Sequence, residues 1–118
     1  MRLATSHRFE PEAAVIELAG DLDLITADDL KTLLANVVTQ RPTTIINMSE
    51  LRFLDSTGLG VLVRAHKRAK AAGSRVVLAA APPNVVRILE MTCLTRVFPL
   101  FGSVDEALAD VQAADTTV

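Results

Sequence analysis

Over residues 3–9 polar and apolar side chains alternate, with Leu3, Thr5, His7 and Phe9 on one side and Ala4, Ser6 and Arg8 on the other. A period of two predicts a half-exposed strand. Glu10-Pro11-Glu12 breaks it. The run 13–19, Ala-Ala-Val-Ile-Glu-Leu-Ala, predicts a second strand closed by Gly20, and the two form an antiparallel hairpin. From Thr26 the period becomes helical: Leu30, Leu33, Leu34 and Val37 recur on one face. Thr26 is the expected cap, and Asp28 and Asp29 stand in the first turn, where carboxylates suit the helix dipole. Arg41-Pro42 ends that helix, and the β-branched run 43–48 predicts a buried central strand.

A second helix starts near Ser56, with Leu59, Leu62, Val63, His66 and Ala69 as its apolar stripe and Arg64, Lys67, Arg68 and Ala71 opposite; Gly73 stops it. Residues 75–80 predict another strand. Pro82-Pro83 open a third helix with Val85, Ile88 and Leu89 inward. A last strand is expected over 96–101, at an edge because of Pro99. Ser103 and Glu106 form a capping box for a final helix that buries Val104, Ala107, Leu108 and Val111. The order β-β-α-β-α-β-α-β-α predicts one α/β domain over 1–118, mostly parallel in its sheet, with a core at about 3–112 and a frayed end over 113–118.

Composition narrows the function. Half of the 118 residues are apolar, so a packed core is expected. The core is aliphatic, with four Phe and neither Trp nor Tyr, which disfavours a base-stacking nucleic-acid reader. The net charge of −2 gives no field toward a polyanion. Residues 1–50 hold four basic and eight acidic groups, and residues 51–118 eight basic and six acidic. A single cysteine, Cys93, excludes a disulfide framework or a zinc cluster. No run of about 20 apolar residues and no signal core is present, so a cytoplasmic protein with no membrane partner is expected.

Enzyme chemistry finds little footing. His7 and His66 are the only histidines, and neither falls at the C-terminal end of a predicted strand. His66 reads as a boundary residue of its helix. Cys93, in Met91-Thr92-Cys93-Leu94, reads as a buried structural thiol. Gly58-Leu59-Gly60 is half of a phosphate-binding pattern without its lysine. The segment Asp55-Ser56-Thr57-Gly58-Leu59-Gly60 is the odd one. Three capping residue types stand where one suffices, and two glycines near a helix start each cost about 1 kcal/mol of propensity. Such a start offers hydroxyls on a flat surface at the end of a parallel strand, where α/β proteins place their sites. In Gly20-Asp21-Leu22-Asp23-Leu24-Ile25-Thr26 the three apolar residues cannot all point inward, which signals a docking loop.

Asp55-Ser56-Thr57-Gly58-Leu59-Gly60-Val61-Leu62, after a β-branched strand, resembles the signature of STAS domains, in particular the anti-sigma-factor antagonists (anti-anti-sigma factors). Gly20-Asp21-Leu22-Asp23 is similar to their Gly-acidic-x-Asp element, and Val85-x-x-Ile88-Leu89-Glu90-Met91-Thr92 to their third helix. The resemblance covers about residues 3–112. It implies a compact β/α fold and a partner-switching role in sigma-factor and stress control. The serine matching Ser56 is phosphorylated by a partner that is both anti-sigma factor and serine kinase. The unmodified antagonist binds that partner and frees the sigma factor, and a PP2C-type phosphatase restores the serine. The antagonist itself catalyses nothing and needs no cofactor or metal. Two positions depart from the pattern. Asn47 stands where the family often has Asp. Cys93 stands where it often has Gly, which implies an uncomfortable backbone there or a different helix end.

The expected roles follow. Ser56 accepts the phosphate, with Thr57 as the rival. Asp55 and Thr57 shape the helix start. Gly58 and Gly60 let the partner approach, and Leu59 and Leu62 straddle patch and core. Asp21, Asp23 and Leu24 form the adjacent docking loop. A phosphate at a helix N-terminus is tolerated locally, so the switch is expected to act by charge and bulk with the fold unchanged. Two alternatives are a non-switching scaffold or transporter-associated module of the same fold, and a small nucleotide-binding domain built on Gly58-Leu59-Gly60.

Overall fold

The computed structural model describes residues 2–116, the side chains of 114–116 excepted. The elements, in order, are β1 (Leu3–Phe9), β2 (Ala13–Leu22), α1 (Ala27–Val37), β3 (Thr43–Leu54), α2 (Ser56–Ala71), β4 (Arg75–Ala79), α3 (Pro83–Met91), a 3₁₀ turn (Leu94–Arg96), β5 (Leu100–Phe101) and α4 (Val104–Thr116). One five-stranded sheet runs β1-β2-β3-β4-β5, antiparallel between β1 and β2 and parallel elsewhere. This is the expected α/β architecture with an N-terminal hairpin.

Strand alternation builds a core on each face. Ala14, Ile16 and Leu18 of β2, Ile46 and Met48 of β3, and Val76 and Leu78 of β4 join α1, α2 and α3 in the larger core. Ala13, Val15, Ile45, Val77 and Ala79 point the other way, against Ala107 of α4. The central strands are therefore apolar on both sides, which is why they read as continuous runs. The capping box of α4 is half made: Ser103 Oγ accepts the Glu106 amide at 3.1 Å. The helix continues to Thr116; residues 117–118 of the expected frayed end lie outside the described residues.

Five expectations change. The strand closed at Gly20 runs on to Leu22, and the one closed at 48 runs on to Leu54. Twelve residues of β3 face ten of β2 because pairing slips twice, between Glu17↔Asn47 and Ala19↔Glu50 and between Gly20↔Leu51 and Asp21↔Phe53. Each slip is a bulge on β3. Asn47 closes the first: its side-chain carbonyl accepts the Ser49 amide at 3.1 Å and its Nδ2 donates to the Glu17 carboxylate at 2.5 Å. An aspartate there would set two carboxylates against each other, so the neighbouring Glu17 explains the asparagine.

The stripe of α2 is rotated. Gly58, Val61, Leu62, Ala65 and Ala69 are buried, whereas Leu59, Val63 and His66 are half-buried, because α1 covers one flank of the helix while the sheet covers its base. His66 meets Phe98 edge-on at 5.7 Å. The last strand shrinks to Leu100–Phe101 at the sheet edge, since the 3₁₀ turn takes up 94–96. Cys93 is exposed, where a buried thiol was expected, and it adopts a left-handed φ of +60° at the end of α3. The uncomfortable backbone implied by the missing glycine is present.

Candidate functional site

The site lies where β2 and β3 end and α1 and α2 begin. Both chain reversals are built by aspartates. Asp23 Oδ1 accepts the amides of Ile25 at 3.0 Å and Thr26 at 3.1 Å. Thr26 makes no cap bond to α1; its hydroxyl donates to the Asp21 carbonyl at 2.7 Å and accepts from the Asp23 amide at 3.0 Å. The expected threonine cap is thus a buried tie within the loop, and Asp23 satisfies the amides that precede the helix.

Asp55 caps α2 with extended backbone, its Oδ1 accepting the Gly58 amide at 2.9 Å. Its Oδ2 accepts the Leu24 amide at 3.2 Å, across 31 residues of chain. One carboxylate therefore holds both the helix start and the 23–26 loop. Removing it by Asp55→Ala is expected to lower stability by about 1–2 kcal/mol in urea unfolding, the usual cost of a lost cap. Asp55→Asn retains one carbonyl acceptor and is expected to lose less than half as much.

Ser56 is the first residue of α2 and is exposed, with no hydrogen bond to its hydroxyl among the described residues. First-turn amides of a helix have no intrahelical acceptor, so an anion on this hydroxyl would meet donors. Thr57 is half-buried and less open. Leu24 and Ile25 stand out beside the serine's helix start, 74% and 83% exposed. Asp23 and Asp55 add carboxylates at the same end of the sheet. The patch thus combines an accessible hydroxyl, two exposed aliphatic side chains and negative charge.

Two expected surface residues lie elsewhere. Asp21 is 1% exposed, so its side chain is not part of the exposed patch. Its Oδ2 sits 3.6 Å from the Arg52 guanidinium and has no hydrogen-bond partner among the described residues. Gly58 is buried and faces inward. A Cβ there would come within 2.7 Å of Leu22 Cγ, 2.8 Å of Leu54 Cδ1 and 2.9 Å of the Leu22 carbonyl oxygen. Its missing side chain lets α2 approach the ends of β2 and β3, and gives no room to a partner. Gly60 does face open space, its Cβ position touching only Arg64 Nη2 at 4.0 Å. Leu59 is half-buried against the core, and Leu62 is wholly buried and off the patch.

Ile25 and Phe53 were absent from the expected docking set. Ile25 carried a signal, since three apolar residues in one loop cannot all be buried. Phe53 is 49% exposed because the second bulge inserts Arg52 and turns the following residue outward; the plain alternation hides this. Among the described residues no three His, Cys, Asp or Glu side chains gather as a metal site, and no helix is long and apolar enough to cross a membrane.

Comparison with known proteins agrees with this fold. The STAS domain family model matches residues 5–107. The anti-sigma-F factor antagonist RsfB of Mycobacterium tuberculosis is 31% identical over 102 residues, which cover 84% of this chain and 81% of that protein. A crystal structure of an anti-sigma factor antagonist from Mycobacterium paratuberculosis superposes with a TM-score of 0.84 at 27% identity, covering 93% of this chain and 94% of the other. Bacillus SpoIIAA in its phosphorylated form shares the fold at a TM-score of 0.74 and 23% identity, covering 92% and 99%.

Proposed function

Because the chain belongs to the STAS domain family, we propose that it is an anti-sigma-factor antagonist switched by phosphorylation of Ser56. In the unmodified state the patch around Ser56, Leu24 and Ile25 binds an anti-sigma factor with serine-kinase activity, and a sigma factor is released. The kinase then phosphorylates Ser56 and the contact ends. A PP2C-type phosphatase resets the serine. The protein acts in the cytoplasm and catalyses none of these steps itself.

The observation that carries the reading is the unengaged hydroxyl of Ser56 at the exposed start of α2, beside two uncovered aliphatic residues. A serine kept only as a cap would be tied to a backbone amide; here Asp55 performs that task and leaves Ser56 free. The same point favours a switch over a permanent scaffold. The name of the mycobacterial relative, and the phosphorylated state of a protein with this fold, are consistent with it.

The test is intact mass after incubation with a candidate anti-sigma kinase and Mg-ATP. Wild type is expected to gain one phosphate and Ser56→Ala none. A gain retained in Ser56→Ala would move the acceptor, with Thr57 next in line. No gain on wild type from a kinase active on another substrate would sink the switch.

A further inference from the structure

Between α1 and α2 lies a groove of about 170 Å³. Leu34 and Ala35 of α1 and Val61 and Ala65 of α2 form its floor. Three exposed cations, Lys31, Arg64 and Arg68, stand around it, and none makes an ion pair among the described residues. Asp28, one turn earlier on α1 than Lys31, does not pair with it either. Arg68 is held in place, because its Nε donates to the Ala35 carbonyl at 3.1 Å and ties the side chain across the groove.

Ser56, Gly60, Arg64 and Arg68 recur every fourth residue and so share one row of α2. Arg64 leans back along that row toward the serine: its Nη2 is the one atom a Cβ on Gly60 would meet. The cationic rim of the groove is therefore continuous with the switch serine.

We infer that this groove docks an acidic, partly apolar segment of the protein partner. One aliphatic side chain occupies the small-residue floor, and flanking carboxylates meet Arg64, Arg68 and Lys31. The identity of the partner rests on the switch reading above. Charge complementarity decides the chemistry. Three cations are few for a nucleic-acid backbone, and no aromatic ring lines the groove to stack a base. A lipid surface is served by apolar side chains standing out between cations, whereas here the apolar atoms are recessed between two helices. Rim charges of this kind act mainly on the encounter rate and on salt dependence. A phosphate on Ser56 would repel the docked carboxylates, so it would weaken this groove as well as the serine patch.

The experiment is titration calorimetry of the unmodified full chain against the anti-sigma kinase, at low and at high salt. Arg64→Glu/Arg68→Glu is expected to bind roughly tenfold more weakly at low salt, with the difference shrinking at high salt and the thermal midpoint lowered only by the loss of the Arg68–Ala35 hydrogen bond. Lys31→Glu is the second variant, since the Lys31 side chain makes no hydrogen bond among the described residues, and it is expected to move the same way. Arg64→Lys/Arg68→Lys is expected to keep most of the affinity. Binding of wild type and charge-reversed protein with equal affinity would overturn the groove and leave the switch standing. Failure of an active kinase to bind wild type would remove the switch and this occupant together. Capture of wild type by phosphatidylglycerol vesicles, lost in the double variant while kinase affinity is unchanged, would overturn the groove in favour of a membrane surface.

Discussion

A phosphate on Ser56 is expected to weaken binding of the unmodified-state partner by roughly a hundredfold or more, while the far-UV circular dichroism stays the same. The argument is electrostatic. The modification adds about −1.5 to −2 charges. It does so at a helix start whose neighbours already include the Asp55 and Asp23 carboxylates. In the free protein the added anion meets water and first-turn amides, so the fold tolerates it. Against a closely fitted partner it is desolvated without a counter-charge, which costs several kcal/mol. Each ~1.4 kcal/mol is tenfold in affinity, so two such units give the hundredfold loss. The measurement is calorimetric titration of phosphorylated and unmodified protein with the same partner. An affinity change below about threefold, or a global change in the dichroism, would show that exclusion at this patch is not the mechanism.

Gly58→Ala is expected to destabilise the protein by about 1–2 kcal/mol net, and Gly58→Val by more. In an exposed helix the change from glycine to alanine stabilises by about 1 kcal/mol. Here the added carbon meets Leu22 and Leu54 side chains and the Leu22 carbonyl, all under 3.0 Å. A side chain can shift, but the backbone oxygen cannot move freely, because it accepts the Asp55 amide at 3.2 Å. Relief therefore requires α2 to move off the sheet ends, which loosens the Asp55 cap as well. Overpacking of this kind costs about 1–3 kcal/mol, and it outweighs the propensity gain. Gly60→Ala is the control: its Cβ touches only a flexible guanidinium, so it is expected to be neutral or to stabilise by up to about 1 kcal/mol. Urea unfolding of the three variants checks the pair. Gly58→Ala as stable as Gly60→Ala would refute a packing role for Gly58.

Much of the fold was legible because period and punctuation are local. The helical spacing of Leu30, Leu34 and Val37, the stop at Gly73 with its φ of +76°, and the two-sided apolar runs of β3 and β4 each rest on interactions within a few residues. The helix start was legible for the same reason, since Asp55-Ser56-Thr57 are all capping types; the choice of Ser56 among them came from the resemblance to the family signature, and the structure shows that Asp55 is the cap. Bulges were not legible, since a slip in pairing depends on the partner strand. With both slips hidden, β3 looked six residues shorter than it is, and Arg52 and Phe53 could not be assigned a side.

Asp21 and Gly58 show where sequence reading stops. An acidic residue in a loop and a glycine beside a site both suggest surface, yet both are buried. What buries them is the meeting of two strand ends with one helix start, brought together from distant parts of the chain. By itself, then, the order of residues determined the succession of helices and strands along the chain and the helix start that carries the candidate hydroxyl, because these follow from local periodicity and capping. Which residues of the two loops face a partner was decided only by tertiary structure. The Asp55 carboxylate reaches Leu24 across 31 residues, and such a bond exists only once the sheet has set the two loops side by side.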